Sequence, residues 1–251
     1  MDAVQAVGLA AAAFAAGAIN AVAGGGSLVS FPALVAAGYP SKVANVTNSV
    51  AMWPGYVGGS IGYRKELSLQ LRAVTLLASP SILGAIAGSA ILLATPARAF
   101  DVVVPFLIVA ACCLMALQDS LARWAAHHRL GGDGVSPVMM AGTFVLAIYG
   151  AYFGAGLGIM LLAALGILMP DDPQHSNALK GMLSLMINAA AVVYFAAFGP
   201  VEWAPAAVMA AGAVAGGYLG VGVARRLGKR WLRGTVIAYG LVSAAVLFAR
   251  L

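Results

Sequence analysis

Eight apolar runs of 16 to 21 residues follow one another along the chain, far more than one soluble core can bury. They are Val4 to Val22, Val43 to Tyr63, Ala73 to Leu93, Val102 to Leu117, Val138 to Phe153, Ala178 to Phe198, Ala204 to Ala224 and Leu232 to Phe248. A helix rises about 1.5 Å per residue, so runs of this length approach the ~20 residues needed to cross ~30 Å of hydrocarbon. Composition agrees: 62% of residues are hydrophobic, 9% are charged, and the mean hydropathy is +0.95, where a soluble domain carries roughly a quarter charged residues. The absence of alternating ten-residue segments excludes an outer-membrane barrel. The chain therefore reads as an all-α polytopic membrane protein. Its start, "MDAVQAVGLA", carries Asp2 and no basic segment, so the first run is expected not to be a cleavable leader.

The net charge of +6 does not point to nucleic acid, because the basic residues cluster in short loops beside the runs, as a topology signal does. Cys112 and Cys113 are adjacent inside an apolar run. They form neither a disulfide framework nor a metal-ligand spacing and read as small hydrophobes. His127 and His128 lie in the polar stretch Gln118 to Ser136 and read as part of a solvated interhelical loop.

Shifting the chain by 132 positions superposes Gly26 on Gly158, Asn45 on Asn177, Gly84 on Gly216, Gly88 on Gly220 and Arg98 on Arg230 without a gap. This marks a duplication: a first repeat over 1–118, a polar linker over 119–136 and a second repeat over 137–251. Each repeat opens with a long run broken by glycine, at "AGGGS" (Ala23 to Ser27) and within "GAYFGAGLGIM" (Gly150 to Met160). About eleven apolar residues follow each break, enough for only ~17 Å of helix, so these pieces are half-helices or re-entrant arms.

Basic residues gather at Arg64, Lys65 and Arg72, at Arg123 and Arg129, and at Arg225, Arg226, Lys229, Arg230 and Arg233. If the broken runs cross once, the last cluster falls opposite the first two. If they double back, all three share a face and leave only Lys42, Arg98 and Arg250 opposite, which the positive-inside rule favours. The expected fold is two inverted repeats, each with one glycine-broken re-entrant or half-helix element plus about three full transmembrane helices. The first arm, Val4 to Val22, is also long enough to span.

All eight acidic residues fall in loops or at run ends, and no "HExxH" occurs. Ser27 and Ser184 have no histidine at membrane depth to pair with. No catalytic dyad, metal site or cofactor is expected, and the interior offers amides, hydroxyls, backbone groups and one cation, Lys180. Inside a span a lysine is by default functional, although one near a helix end also snorkels to the headgroups.

In "VANVTNSVAMWPGY", Asn45, Asn48, Ser49 and Tyr56 share one helical face. Such a stripe lines a path or binds neighbouring helices. Gly84 with Gly88, and Gly216 with Gly220, have the spacing that lets membrane helices approach closely. Three consecutive glycines exceed that need: a helix restarting at Ser27 directs its first N–H groups and positive dipole end into the gap, which suits an anion. The candidate substrate-binding residues are Asn20, Gly24, Gly25, Gly26, Ser27, Asn45, Asn48, Ser49, Tyr56, Gly154, Gly156, Gly158, Asn177 and Lys180.

With "GGGSLVSFPAL", then "ANVTNSV", a "YRKEL" turn and a glycine-spaced third helix, the scheme recurring after Val135, the chain resembles the sulfite exporter TauE/SafE family over nearly its whole length. The second half departs from the family pattern: Ala164, at the position matching Pro32, stands where the family usually has proline, the triple glycine is reduced to alternate glycines, and Lys180 replaces the family's usual small polar residue. The resemblance implies a multi-pass transporter of the bacterial inner membrane that moves sulfite or small organosulfonates such as sulfoacetate, usually outward.

The expected function is thus secondary transport of a small anion by alternating access, the halves rocking around a site between the two breaks. A passive anion channel or a membrane subunit of a larger complex shares these features, and an embedded enzyme lacks a catalytic group to support it. The expected partners are the anion and the lipid bilayer, with a homo-oligomer left open and no nucleic acid.

Overall fold

The computed structural model describes residues 1–22, 25–62, 67–128, 134–169, 172–227 and 229–251, with side chains described for all of these but 21–22, 58–62, 173, 220–227 and 229–230. Among the described residues Gly24 is therefore absent, as are Arg64, Lys65 and Arg129, and the side chains of Arg225, Arg226, Lys229 and Arg230 lie outside the description.

Ten α-helices account for the described residues: α1 (Ala3–Val22), α2 (Ser27–Ala36), α3 (Ser41–Gly62), α4 (Leu71–Ala94), α5 (Ala97–His127), α6 (Pro137–Tyr152), α7 (Leu157–Leu168), α8 (Pro173–Phe198), α9 (Trp203–Leu227) and α10 (Lys229–Phe248). Local chemistry sets several of these bounds. The Ser136 hydroxyl accepts from Met139 N at 3.1 Å and the Asp172 carboxylate from Gln174 N at 2.8 Å; each is followed by a proline at the first helical position, so both starts carry a side-chain cap and a preset φ. α2 ends at Gly38, whose φ of +94° provides the left-handed cap that glycine adopts without strain.

Adding 132 to the starts of the first five helices (3, 27, 41, 71 and 97) gives 135, 159, 173, 203 and 229. The last five begin at 137, 157, 173, 203 and 229. The packing follows the same correspondence with the long arms exchanged: α1 lies on α9, and its counterpart α6 lies on α4. α3 packs on α9 and α8 on α4, while α3 and α8 meet each other. α5 pairs with α10, and these two contact the short helices α7 and α2 respectively.

Glycines make the exchanged seams. A Cβ at Gly84 would run into the Phe144 carbonyl, one at Gly88 into that of Ile148, and one at Gly216 into that of Phe14. The close-approach reading of these glycines holds for all three, and the packing around Gly220 lies outside the description.

Hydrogen bonds fix which helix ends are neighbours. Lys42 Nζ donates to the carbonyls of Leu93 and Thr95 at 2.6 and 2.8 Å, so α3 starts beside the end of α4. Glu202 N donates to Thr47 Oγ1 at 3.1 Å, so α9 also starts there. Gln70 Nε2 donates to the His175 carbonyl at 3.1 Å, which puts the start of α8 beside the start of α4. Gln5 Nε2 reaches the Ala37 carbonyl at 3.5 Å, bringing the start of α1 to the end of α2.

Among the described residues, five helices carry segments long and apolar enough to cross a membrane: Ala3–Asn20, Leu71–Ala94, Ala97–His127, Gln174–Phe198 and Trp231–Phe248. Large apolar side chains such as Leu83, Phe106, Val145, Val193 and Val242 face outward, a surface that suits lipid and not water. α3 has 22 residues and is not among the five; its side chains are described only over residues 41–57, where Asn45, Thr47, Asn48 and Ser49 lower the hydropathy.

α5 differs from its expected extent. It runs through the polar residues 118–127, so His127 ends a helix instead of lying in a loop. Gln118 and Asp119 sit on this extension, and Arg233 of α10 bonds both Asp119 carboxylate oxygens at 2.8 and 3.1 Å. Cys112 is buried, with its thiol 3.8 Å from the Ile237 carbonyl, whereas Cys113 is exposed.

Candidate substrate site

Both helix breaks are closed largely by the protein's own groups. At the first, the Asn20 side-chain oxygen accepts from Gly26 N at 2.7 Å, and Gly25 turns the chain with a φ of +85°. Gly26 and Gly25 accept from Val29 N and Leu28 N as α2 begins. Ser27 is half-buried at its head. A Cβ on Gly26 would meet the Ala16 carbonyl, so this glycine is needed for the return of the chain.

At the second break Gly154 and Gly156 have φ of +76° and +81°. The Tyr149 hydroxyl donates to the Ala155 carbonyl at 2.6 Å, and Asn45 Nδ2 reaches across from α3 to the Tyr152 carbonyl at 2.9 Å. Phe153 meets Phe31 of α2 edge-on at 5.7 Å, and Tyr152 meets Phe100 of α5 at 5.8 Å. A break in hydrocarbon leaves backbone groups that water cannot satisfy, and the Tyr149 and Asn45 hydrogen bonds supply partners for two of these carbonyls.

The polar face of α3 points inward. Asn45, Thr47 and Asn48 are buried and Ser49 and Tyr56 half-buried, with Ser49 Oγ donating to the Asn45 carbonyl at 3.0 Å. Asn48 Oδ1 is buried without a hydrogen-bond partner among the described residues. Such an atom costs about 1–3 kcal/mol if nothing fills its place.

Lys180 lies on α8, half-buried, and no hydrogen bond or ion pair joins it to another described residue. Its stem packs on the second break: a Cβ added to Gly158 would lie 3.5 Å from Lys180 Cδ. Asn177, one turn earlier on the same helix, is half-buried and has an interaction partner of its own.

Of the expected residues, the structure brings Asn45 to the second break, Asn20 to the first, and Lys180 to Gly158. Sequence reasoning missed Tyr149, Phe31, Phe153 and Met115, all apolar or aromatic residues in apolar runs with nothing in their spacing to single them out. It also took the glycines of the first break to leave open room, whereas the space beside Gly25 is occupied by the Met115 side chain.

Outward-facing apolar helices and an inward polar face around two broken helices define a multi-pass α-helical membrane protein. Three bacterial proteins are similar to it along most of their length. The "Probable membrane transporter protein" of Haemophilus influenzae is 28% identical over 92% of this chain and 90% of its own. "Probable membrane transporter protein ORF9" of Sinorhizobium is 26% identical over 95% and 90%, and "Probable membrane transporter protein YfcA" of Escherichia coli K12 is 25% identical over 92% and 85%. No solved structure gives a significant match. Residues 9–247 match the family model "Sulfite exporter TauE/SafE", and the chain belongs to that family of membrane transporters.

Proposed function

We propose that the protein is a secondary transporter that exports a small anion, sulfite or an organosulfonate, across the bacterial inner membrane by alternating access. The observation that carries this reading is the laying of Lys180, a cation with no other partner among the described residues, against the glycine break at Gly158. The substrate would bind between the breaks, near Gly25, Gly26, Ser27, Gly154, Gly156 and Gly158, with Asn20, Asn45, Asn48, Ser49, Tyr56, Asn177 and Lys180 around it. A cation without a carboxylate partner at membrane depth suits an anion better than a cation. Export of an anion from a negative interior gains ~2.3 kcal/mol per charge per 100 mV, so the potential alone is a sufficient driving force.

The repeats are inverted in this reading. Its support is the contact of helix ends: α3 starts beside the end of α4, whereas its counterpart α8 starts beside the start of α4. The broken runs double back, supported by the meeting of the start of α1 with the end of α2. Arg72, Arg123 and Arg233 then share one face and Lys42 the other, in accord with the positive-inside rule.

The seams change which bodies move. Because α1 is glycine-packed on α9 and α6 on α4, the two sequence halves cannot rock as separate blocks without parting their closest helix contacts. The moving bodies are instead the mixed bundles of α1, α3 and α9 and of α4, α6 and α8.

The test is counterflow of labelled sulfite in proteoliposomes holding the purified chain. Acceleration by unlabelled sulfite on the far side is the expected result. Uptake without acceleration would indicate a passive channel, and no movement of any sulfur oxyanion or sulfonate would end the proposal.

A further inference from the structure

Gly25 excludes a side chain twice over. Its φ of +85° lies in the left-handed region, and the point that a Cβ would occupy is taken by the Cε methyl of Met115, with Sδ 3.7 Å and Leu28 Cδ1 3.8 Å away. Met115 is 1% exposed and lies on α5. The turn that carries it also touches the second break: Ala111 Cα and Cβ are 3.9 Å, and Leu114 Cδ1 3.5 Å, from the Cβ position of Gly156. Residues 111 and 115 are ~6 Å apart along a helix axis, so one turn of α5 spans the gap between the two breaks.

The two sides of that gap differ in chemistry. The second break has the Lys180 stem across Gly158, while at the first break the point beside Gly25 is met by the Met115 tip and by Leu28 Cδ1, both apolar. We propose that Met115 is a specificity-determining residue, whose thioether fills the space before the first break and limits the uncharged group that a bound anion can carry. This rests on the anion-transport reading above.

Methionine suits the task because it is unbranched and flexible and offers a thioether that neither donates nor carries charge. Bare sulfite has no organic group and leaves the space untouched. An alkylsulfonate held by its charged end near Lys180 directs its chain toward Met115 and competes for that volume. Met115→Ala removes Cγ, Sδ and Cε and so makes room for a chain of propyl size.

Proteoliposome counterflow of sulfite, methanesulfonate and propanesulfonate by the full chain tests the assignment. In Met115→Ala the rate ratio of propanesulfonate to sulfite should rise roughly tenfold, the scale of a pocket gaining or losing a methylene or two. Met115→Leu should keep the original ratio. An unchanged ratio in Met115→Ala while sulfite still moves would overturn the role of Met115 and leave the transport reading intact. A wild-type chain that moves none of the three overturns both. Should Met115→Ala fail to reconstitute, Met115→Val supplies the same comparison, a rise in the ratio supporting the proposal and no rise refuting it.

Discussion

The side-chain amide of Asn45 donates to the Tyr152 carbonyl across 2.9 Å, so a helix from the first half of the chain closes the second break. Removing it leaves a backbone acceptor unpaired in a place that water reaches poorly. Asn45→Ala should cost about 1–3 kcal/mol, read as a lower midpoint of thermal unfolding in detergent. Asn45→Asp should be no better, since an ionised carboxylate cannot donate. Wild-type stability in both variants would mean that the bond contributes nothing.

The glycine seams make a prediction with an internal control. Gly84 and Gly216 face backbone carbonyls of the opposite helix, whereas a Cβ on Gly142 would meet nothing within 4 Å. Backbone cannot step aside as a side chain can, so Gly84→Ala and Gly216→Ala should destabilise by about 1–3 kcal/mol or prevent insertion. Gly142→Ala should be neutral or up to ~1 kcal/mol stabilising, from helix propensity alone. Equal effects at all three positions would contradict the packing described here.

Where the apolar helices lie was legible because apolar length and glycine breaks act locally, but the side-chain caps of Ser136 and Asp172, which set the starts at Pro137 and Pro173, formed no part of that reading. The extension of α5 to His127 was not legible, because its residues 118–127 are polar and their partner, Arg233, comes from a helix more than a hundred residues away. The same holds at the site. The polar face of α3 is visible as a spacing, but that Asn45 serves the Tyr152 carbonyl, more than a hundred residues away, depends on how α3 meets the second break. Met115 had no sequence signal at all, since a methionine in an apolar run reads as core until a glycine is found against it.

Asn48 offers a separation of stability from function. Its Oδ1 is buried with no partner among the described residues, so Asn48→Leu removes an unsatisfied acceptor and should leave thermal stability unchanged or raised. Sulfite counterflow should nonetheless fall by roughly tenfold, the loss of one hydrogen bond donated by the Asn48 side-chain Nδ2 to a charged ligand. A variant that is as active as wild type would remove Asn48 from the substrate path.

Lys180 gives the corresponding test of charge. Lys180→Gln keeps most of the stem that packs on Gly158 but loses the cation, and should weaken sulfite binding by roughly tenfold or more, the value of one charge-assisted contact. Gly158→Ala should be tolerated, because its added Cβ would lie at ordinary contact distance from Lys180 Cδ, 3.5 Å. Titration of the purified variants with sulfite, followed by thermal shift, reads both. Undiminished affinity in Lys180→Gln would assign the ammonium group to the headgroups.

The exchanged arms predict how the chain behaves when cut in the polar stretch between α5 and α6. Expressed alone, residues 1–134 would hold α1 without α9 and α4 without α6, exposing both glycine faces and losing the Arg233 bonds to Asp119. Residues 135–251 would carry the complementary defects. Neither fragment should give a monodisperse peak in size-exclusion chromatography, whereas the two produced together should co-purify and recover sulfite counterflow, since no helix is severed at residue 134. Two repeats that pack chiefly within themselves would behave otherwise. A first fragment that is monodisperse and as heat-stable as the whole chain would show that the α1 to α9 and α4 to α6 seams are dispensable, and with them the mixed bundles as moving bodies.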